Sequence, residues 1–329
     1  MCTAITLKDN TNNYYFGRTL DFPFELNPSF YILPRGYMIQ NGSNYIKSKY
    51  SFLGIGQNVS KLIFTEGINE HGLTAAALFF PSFAYYQSIY PLPNKYSIFS
   101  LDILSFLLGN CANISDAYFL LQNTNIIGQK DNITNTISPL HWIITDKSGK
   151  CIVVESMMDG IHILINPIGI LTNSPYFEWH MLNLQNYINL STTQKEEVTW
   201  DNIPLRPFGQ SSGLNSLPGD YTPPSRFVRA AFLKTHIVHS ENSKDTLLSF
   251  FHIAECVSIP KGIVITDRNT SDYTQYTSFI DITNKVYYFR TYNHMRLVNI
   301  KFTNNLMQTN NVLEIGKLSE YSKFNTVNL

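Results

Sequence analysis

The chain opens Met1-Cys2-Thr3-Ala4-Ile5-Thr6-Leu7 (MCTAITL, residues 1–7), and the reading of that cysteine decides both fold and chemistry. Residues 2–7 alternate as a strand does, KDNTNN (8–13) is turn chemistry, and YYFGRTLD (14–21) reads as a second strand, so a β-hairpin is predicted. With its turn centred near Asn10 and Thr11, Cys2 faces the neighbourhood of Arg18 to Leu20, and Asp21 lies close by. At its simplest, a cysteine in second position is a small apolar residue in a first strand. Trimming of the initiator methionine, usual before a small side chain, would instead leave Cys2 with a thiol and a free α-amine on one residue.

Those two groups together make a nucleophile with its own base. An unperturbed α-amine titrates at about pH 7.7 to 8.0, so it can accept the thiol proton and return it to a leaving amine. A guanidinium at Arg18 favours the thiolate, and a carboxylate at Asp21 can hold the amine. Asn173, in LTNSPYFEW, stands where a strand ends and a helix begins, so its amide can donate to an oxyanion beside the helix's positive end. Arg226, in PPSRFVRAAF, falls in the first turn of a helix, where the dipole disfavours a cation unless an anion compensates. Taken singly these are a surface charge, a turn residue and a solvated arginine; their placement relative to Cys2 is what raises them.

Composition narrows the partners. The 329 residues carry no net charge and no block of like charge, which argues against nucleic acid or an anionic membrane and leaves a small molecule. A hydrophobic content of 44% supports a sizeable core, and runs such as LFFPSFAYYQ suit either core packing or an apolar pocket. No basic leader with an apolar stretch and no run of roughly 18 apolar residues occurs, so a cytoplasmic protein is expected. Cys2, Cys111, Cys151 and Cys256 form no CxxC pair, so neither a zinc site nor a disulfide framework is expected.

Along the chain, IFSLDILSFLLGN (98–110) and ISDAYFLLQ (114–122) carry helical periodicity, with Ser97 and Ser115 near their starts. From Leu140, HWIITD, CIVVES, IHILI and ILTN read as an antiparallel meander, followed by a helix for which Ser174 and Pro175 fit the cap and first turn. PPSRFVRAAFLKTHIV and KDTLLSFFHIAECV are further helices, and YTSFIDI with VYYFRTY a closing hairpin. Without repeat or linker, residues 1–329 read as one α+β domain of antiparallel sheets covered by helices, not a doubly wound parallel sheet.

MCTAITL with FGRTLDF, EGINEHGL, PLHWIITD, GILTNSPYFEWHMLNLQNY, FGQSSGLNSLPGDYTPPSRFVRAAF and DYTQYTSF together resemble the choloylglycine hydrolase family, which comprises conjugated bile salt hydrolases and penicillin V acylases. The resemblance implies an N-terminal nucleophile (Ntn) hydrolase with a four-layer αββα fold, unmasked by loss of Met1 and cleaving linear amides through an acyl-thioester without metal or cofactor. By carry-over, Cys2 is nucleophile and base, Arg18 and Asp21 support it, Asn173 supplies an oxyanion donor, and Arg226 completes the polar network. A homotetramer is implied too, with residues 187–220 resembling an assembly extension. One departure stands out: bile salt hydrolases typically carry Asn where AALFFPSF places Phe79, which offers a backbone N–H to the oxyanion but no side-chain amide. Together with SIPKGIVIT and LLGNCANI, this resembles the penicillin V acylase branch more closely. The expected substrates are amides with an aromatic or apolar acyl group, penicillin V or an acyl homoserine lactone, with a conjugated bile salt as the alternative. Leu20, Phe22, Phe64 and Leu140 are the expected acyl pocket. Two other readings are a glutamine amidotransferase, for which no synthase domain is visible, and a binding homologue that has lost catalysis.

Overall fold

The computed structural model describes residues 1–41, 43–87, 95–130 and 135–321. The amino-terminal hairpin forms as expected, from β1 (Cys2–Lys8) and β2 (Tyr14–Phe22). Next come β3 (Ser29–Leu33), β4 (Phe52–Asn58), β5 (Leu62–Asn69) and β6 (Thr74–Phe79), then helices α1 (Ile103–Asn110) and α2 (Ile114–Gln122). The middle of the chain supplies β7 (Leu140–Thr145), β8 (Cys151–Met157), β9 (Gly160–Ile165) and the short β10 (Ile170–Leu171). After α3 (Phe177–Asn183), α4 (Pro223–His236) and α5 (Ser243–Glu255) come β11 (Val264–Ile265), β12 (Ser271–Asp281), β13 (Val286–Thr291), β14 (His294–Lys301) and β15 (Leu313–Lys317).

These strands make two large antiparallel sheets. The first runs β10-β1-β2-β12-β13-β14 with β11 beside β12, and the second runs β9-β8-β7-β6-β5-β4-β3-β15. Helices α4 and α5 lie on the first sheet, α1 and α2 on the second, which gives the four αββα layers. Strands buried on both faces need apolar residues throughout, and alternate positions divide between two cores. Ile143, Val153 and Leu78 point between the sheets, while Trp142, Val154 and Ala75 point toward α1 and α2. Gly17 in β2 marks one close approach: a Cβ there would stand 2.3 Å from the Phe250 ring of α5.

Three local expectations are corrected. Ser97 lies in a short strand (Tyr96–Phe99) that pairs with Thr124–Ile127, so the helix starts later, at Ile103. Asn113, not Ser115, caps α2 by accepting the Asp116 N–H at 3.0 Å. The meander stops at β9: β10 leaves it and pairs with β1 in the other sheet (Ala4↔Leu171, Ile5↔Ile170).

Candidate active site

The site begins with the hairpin register. Asp9 closes the turn, its Oδ1 accepting the Thr11 and Asn13 N–H groups at 2.9 Å each and its Oδ2 the Tyr15 hydroxyl at 2.7 Å. Burial pushes the Asp9 carboxyl up, but these bonds outweigh it and hold it down at about 2. The resulting register sets Cys2 opposite Leu20 and Ala4 opposite Arg18, so Cys2 and Arg18 share a face diagonally. Met1 prolongs the ladder: its carbonyl accepts the Asp21 N–H at 2.9 Å, and its ammonium donates to the Asp21 carbonyl at 2.7 Å and pairs with Asp272 Oδ2 at 3.3 Å.

Arg18 spends each arm separately. Nη2 donates to Cys2 Sγ at 2.7 Å, Nη1 to the carbonyls of Thr65 and Ala77 at 3.0 and 2.8 Å, and Nε lies 3.3 Å from Glu66 Oε2. A β-bulge makes the Thr65 carbonyl available. Ile55 pairs with Glu66 and Gly56 with Phe64, which leaves Thr65 unpaired between them. The same bulge corrects one predicted pocket residue. It turns Phe64 to the far side of the sheet, where the ring packs edge-to-face against Phe52 and Tyr31 in the α1–α2 core.

Asn173 arrives through the strand that changed sheets. Continuing the β10–β1 register two residues past Leu171 brings Asn173 beside Cys2, and its Oδ1 accepts the Cys2 N–H at 2.9 Å. Arg226 Nη2 donates to the same oxygen at 2.7 Å. With Oδ1 held by two donors, the amide can point only its NH2 at acceptors, and one N–H reaches the Phe79 carbonyl at 2.6 Å. Phe80 donates its N–H to Pro139, so Phe79 directs both its C=O and its N–H to the opposite edge, beyond the last β5–β6 pair at Ala76. The Phe79 N–H therefore points the same way as the carbonyl that Asn173 reaches. The expected helix dipole plays no part in this. Helix α3 begins at Phe177, its first N–H is taken by Glu155 at 3.0 Å, and Ser174 hydrogen-bonds the Pro81 carbonyl at 2.6 Å instead of capping.

Arg226 stands in the first turn of α4, as its position in the sequence predicts, and is fully buried. Nη1 reaches the Cys2 carbonyl and the Thr3 hydroxyl at 2.6 Å each, and lies 3.9 Å from Asp21 Oδ2. Burial lowers the guanidinium from its ordinary range, against the pull of Asp21 and Cys2. Asp21 Oδ1 accepts the Thr274 hydroxyl at 2.6 Å, while Oδ2 is buried without a hydrogen-bond partner among the described residues. So Cys2, Arg18, Asp21, Asn173 and Arg226, scattered over more than two hundred residues, meet in one buried cluster.

Two histidines quoted in the sequence blocks, but not read there as site residues, support this arrangement. His180 Nε2 donates to the Asn173 carbonyl at 2.8 Å, and His141 Nε2 to the Thr172 carbonyl at 3.2 Å. Burial pushes His180 down to about 4, so it stays neutral at physiological pH and serves as a brace. Leu20 is buried between Cys2 and Tyr276, Phe22 packs edge-to-face on Phe24, and Leu140 pairs with Phe79. None of the four predicted pocket residues lines the apolar cleft of ≈ 340 Å³ formed by Tyr85, Tyr86, Ile127, Ile137 and Pro139, one residue beyond the Phe79–Leu140 pair. Among the described residues no group of His, Cys, Asp and Glu is arranged to hold a metal ion.

With this geometry in view, the family model for linear amide C–N hydrolases of the choloylglycine hydrolase family matches residues 2–315. The chain belongs to the choloylglycine hydrolase family. It is thus an amidohydrolase with the Ntn-hydrolase fold. Its relatives include a bile salt hydrolase/transferase of Clostridium perfringens, 36% identical over 90% of this chain and 91% of that one. A conjugated bile acid hydrolase of Lactobacillus gasseri is 32% identical over 93% and 98%. Among solved structures, an arginine-to-leucine variant of the C. perfringens conjugated bile acid hydrolase superposes with a TM-score of 0.89 at 33% identity, covering 99% of this chain and 100% of that one. Penicillin V acylase from Agrobacterium tumefaciens gives 0.77 at 24% identity, covering 98% and 94%, a likeness of fold. No helix among the described residues is long and apolar enough to cross a membrane.

Proposed function

We propose that Cys2, freed of Met1, is the nucleophile of this choloylglycine hydrolase. The observation that carries the reading is the buried guanidinium of Arg18, 2.7 Å from the Cys2 sulfur. Loss of Met1 turns the Cys2 N–H into an α-amine already hydrogen-bonded to Asn173 and releases the Asp21 and Asp272 groups that Met1 occupies. The unpartnered Asp21 Oδ2 can then serve that amine. The α-amine takes the thiol proton, the sulfur attacks the amide carbon, and the oxyanion receives N–H donors from Asn173 and Phe79. As the C–N bond breaks, the α-amine returns the proton to the departing nitrogen. Water then hydrolyses the thioester to free acid and thiol, activated by the same amine.

For the acyl group, relatives named for bile salts or bile acids at 36 and 32% identity support a conjugated bile salt as the first reading, with glycine or taurine released. That reverses the order suggested by Phe79 together with SIPKGIVIT and LLGNCANI. One observation keeps the penicillin V or acyl homoserine lactone reading as second: the end of β6 is aromatic, with Phe80 stacked on Phe83 at 5.7 Å and Phe83 edge-on to Tyr176 at 5.9 Å. One preparation, its Met1 loss verified by intact mass, should be assayed with glyco- and tauro-conjugated bile salts, penicillin V and an acyl homoserine lactone. Turnover of the bile salts at least tenfold above the rest supports the first order, and the converse selects the second. Activity in a Cys2→Ala protein, or in one that retains Met1, would sink the mechanism.

The assembly reading also stands as a proposal. Residues 187–220 carry a small hairpin, Val198–Trp200 with Ile203–Leu205, that exposes Val198, Trp200 and Ile203, and Phe208 is exposed three residues after it. Such a concentration of apolar surface supports self-association into a homotetramer.

A further inference from the structure

We propose that Glu66 is a positioning residue of this site: it holds Arg18 in its sulfur-facing pose and shares the guanidinium charge with Cys2. This rests on Cys2 being the nucleophile. Glu66, from EGINEHGL, follows the Thr65 bulge and points between the sheets, wholly buried. Three hydroxyl donors and the Arg18 guanidinium converge on it. Oε1 accepts the hydroxyls of Ser278 and Tyr287 (the latter at 2.7 Å), while Oε2 accepts the Tyr276 hydroxyl at 3.3 Å and stands 3.3 Å from Arg18 Nε. Burial raises the carboxyl above its ordinary range, and Arg18 with the three hydroxyls pulls the other way. Arg18 keeps its proton in the same sealed space, and its charge favours the ionised form of Glu66 against burial.

A buried ion pair is a costly way to fill space, and apolar residues of like volume would serve a core as well or better. What this one does is directional. Arg18 has two neutral carbonyls on Nη1, the sulfur on Nη2 and the neutral Thr19 carbonyl at 3.4 Å on Nε, so among the described residues Glu66 is the carboxylate in contact that both orients the guanidinium and offsets its charge. The other ionisable groups near the pair are Tyr276 on β12, Tyr287 on β13, Asp21 on β2, Arg226 on α4 and Asp272 on β12. None of them replaces that contact: Asp21 and Asp272 face Arg226 and the amino terminus. The positive field at the sulfur is then the Arg18 charge less the share taken by Glu66.

Glu66→Gln tests this in the Met1-free enzyme by keeping the shape and removing the charge. Cys2 alkylation by iodoacetamide, followed at its own peptide, needs no substrate, and exposed Cys256 serves as an internal control. The pH midpoint of Cys2 alkylation should fall by about one unit, since an uncompensated cation nearby favours thiolate more strongly. At the same time kcat should fall about tenfold with KM within about twofold, because the guanidinium loses its anchor. Glu66→Asp, which retains the charge, should leave the midpoint within about 0.3 of wild type and still lose kcat. An unmoved midpoint in folded Glu66→Gln, or an equal shift in the Asp variant, overturns the proposal. Should the Gln protein fail to fold, Glu66→Asp decides alone: wild-type kcat there overturns it. A Cys2→Ala enzyme that still turns over would overthrow the nucleophile reading, whereas a dead Cys2→Ala enzyme beside an unmoved Glu66→Gln midpoint would overthrow only the role of Glu66.

Discussion

Two arginines flank Cys2, equally buried and differently used. Arg18 touches the sulfur and is balanced by Glu66; Arg226 touches the Cys2 carbonyl, the Thr3 hydroxyl and the Asn173 amide, with its nearest carboxylate at 3.9 Å. In the proposed reaction the first guanidinium meets the atom whose charge changes, and the second meets groups that stay neutral. Burial and residue type are therefore poor guides to role; the contacted atom is the better one. Arg18 should govern reactivity, and Arg226 should govern where the amide and the first residue sit.

The most severe test removes what both arginines serve. Cys2→Ala should cost at least about a thousandfold in hydrolysis while the melting temperature stays within a few degrees, checked by product release and calorimetry. Arg18→Leu should come next: it leaves Glu66 buried without its counter-ion, so stability should drop by about 3–5 kcal/mol in urea titrations and hydrolysis by about a hundredfold or more. Arg226→Lys keeps a charge but loses the branched set of donors, and kcat/KM should fall about tenfold. Its alkylation midpoint at Cys2 should match wild type; a shift as large as that of an Arg18 variant would collapse the contrast.

Smaller effects probe the frame on which both arginines depend. The Asp9 carboxyl is depressed from 3.8 to about 2, so the stability it contributes is complete above about pH 4 and drains away as pH falls through 2. Asp9→Asn should cost about 1–2 kcal/mol at neutral pH, and the difference from wild type should vanish near pH 2 in acid titrations. Least of all on turnover, Trp200→Ser in the exposed hairpin should weaken assembly in sedimentation runs and leave activity per subunit within about twofold.

Much of this was readable in advance because it is local. The Asp9 turn and the alternation of β1 and β2 place Cys2 near Arg18 from sequence alone, and α4 and α5 announce themselves by their period and starts. Phe64 was misjudged because a bulge of one residue reverses which face its side chain takes, and no residue type at Thr65 signals it. Ser97 and Ser115 misled because a serine near an apolar run marks a cap only when the backbone bends there; tertiary pairing drew Ser97 into a strand. His141, His180 and Glu66 lay inside quoted motifs, but their partners are the Thr172 and Asn173 carbonyls and Arg18, reached only once the sheets are stacked.

Sequence by itself determined the class of fold, the hairpin that presents Cys2, and which five residues come together around it. Tertiary structure alone decided how they meet. The short β10 crosses from one sheet to the other and carries Asn173 to Cys2, and the Thr65 bulge aims a carbonyl at Arg18. Registers within a hairpin follow from short-range turn geometry, whereas a crossover and a bulge are chosen by the packing of two whole sheets, a long-range property that no short stretch such as MCTAITL encodes.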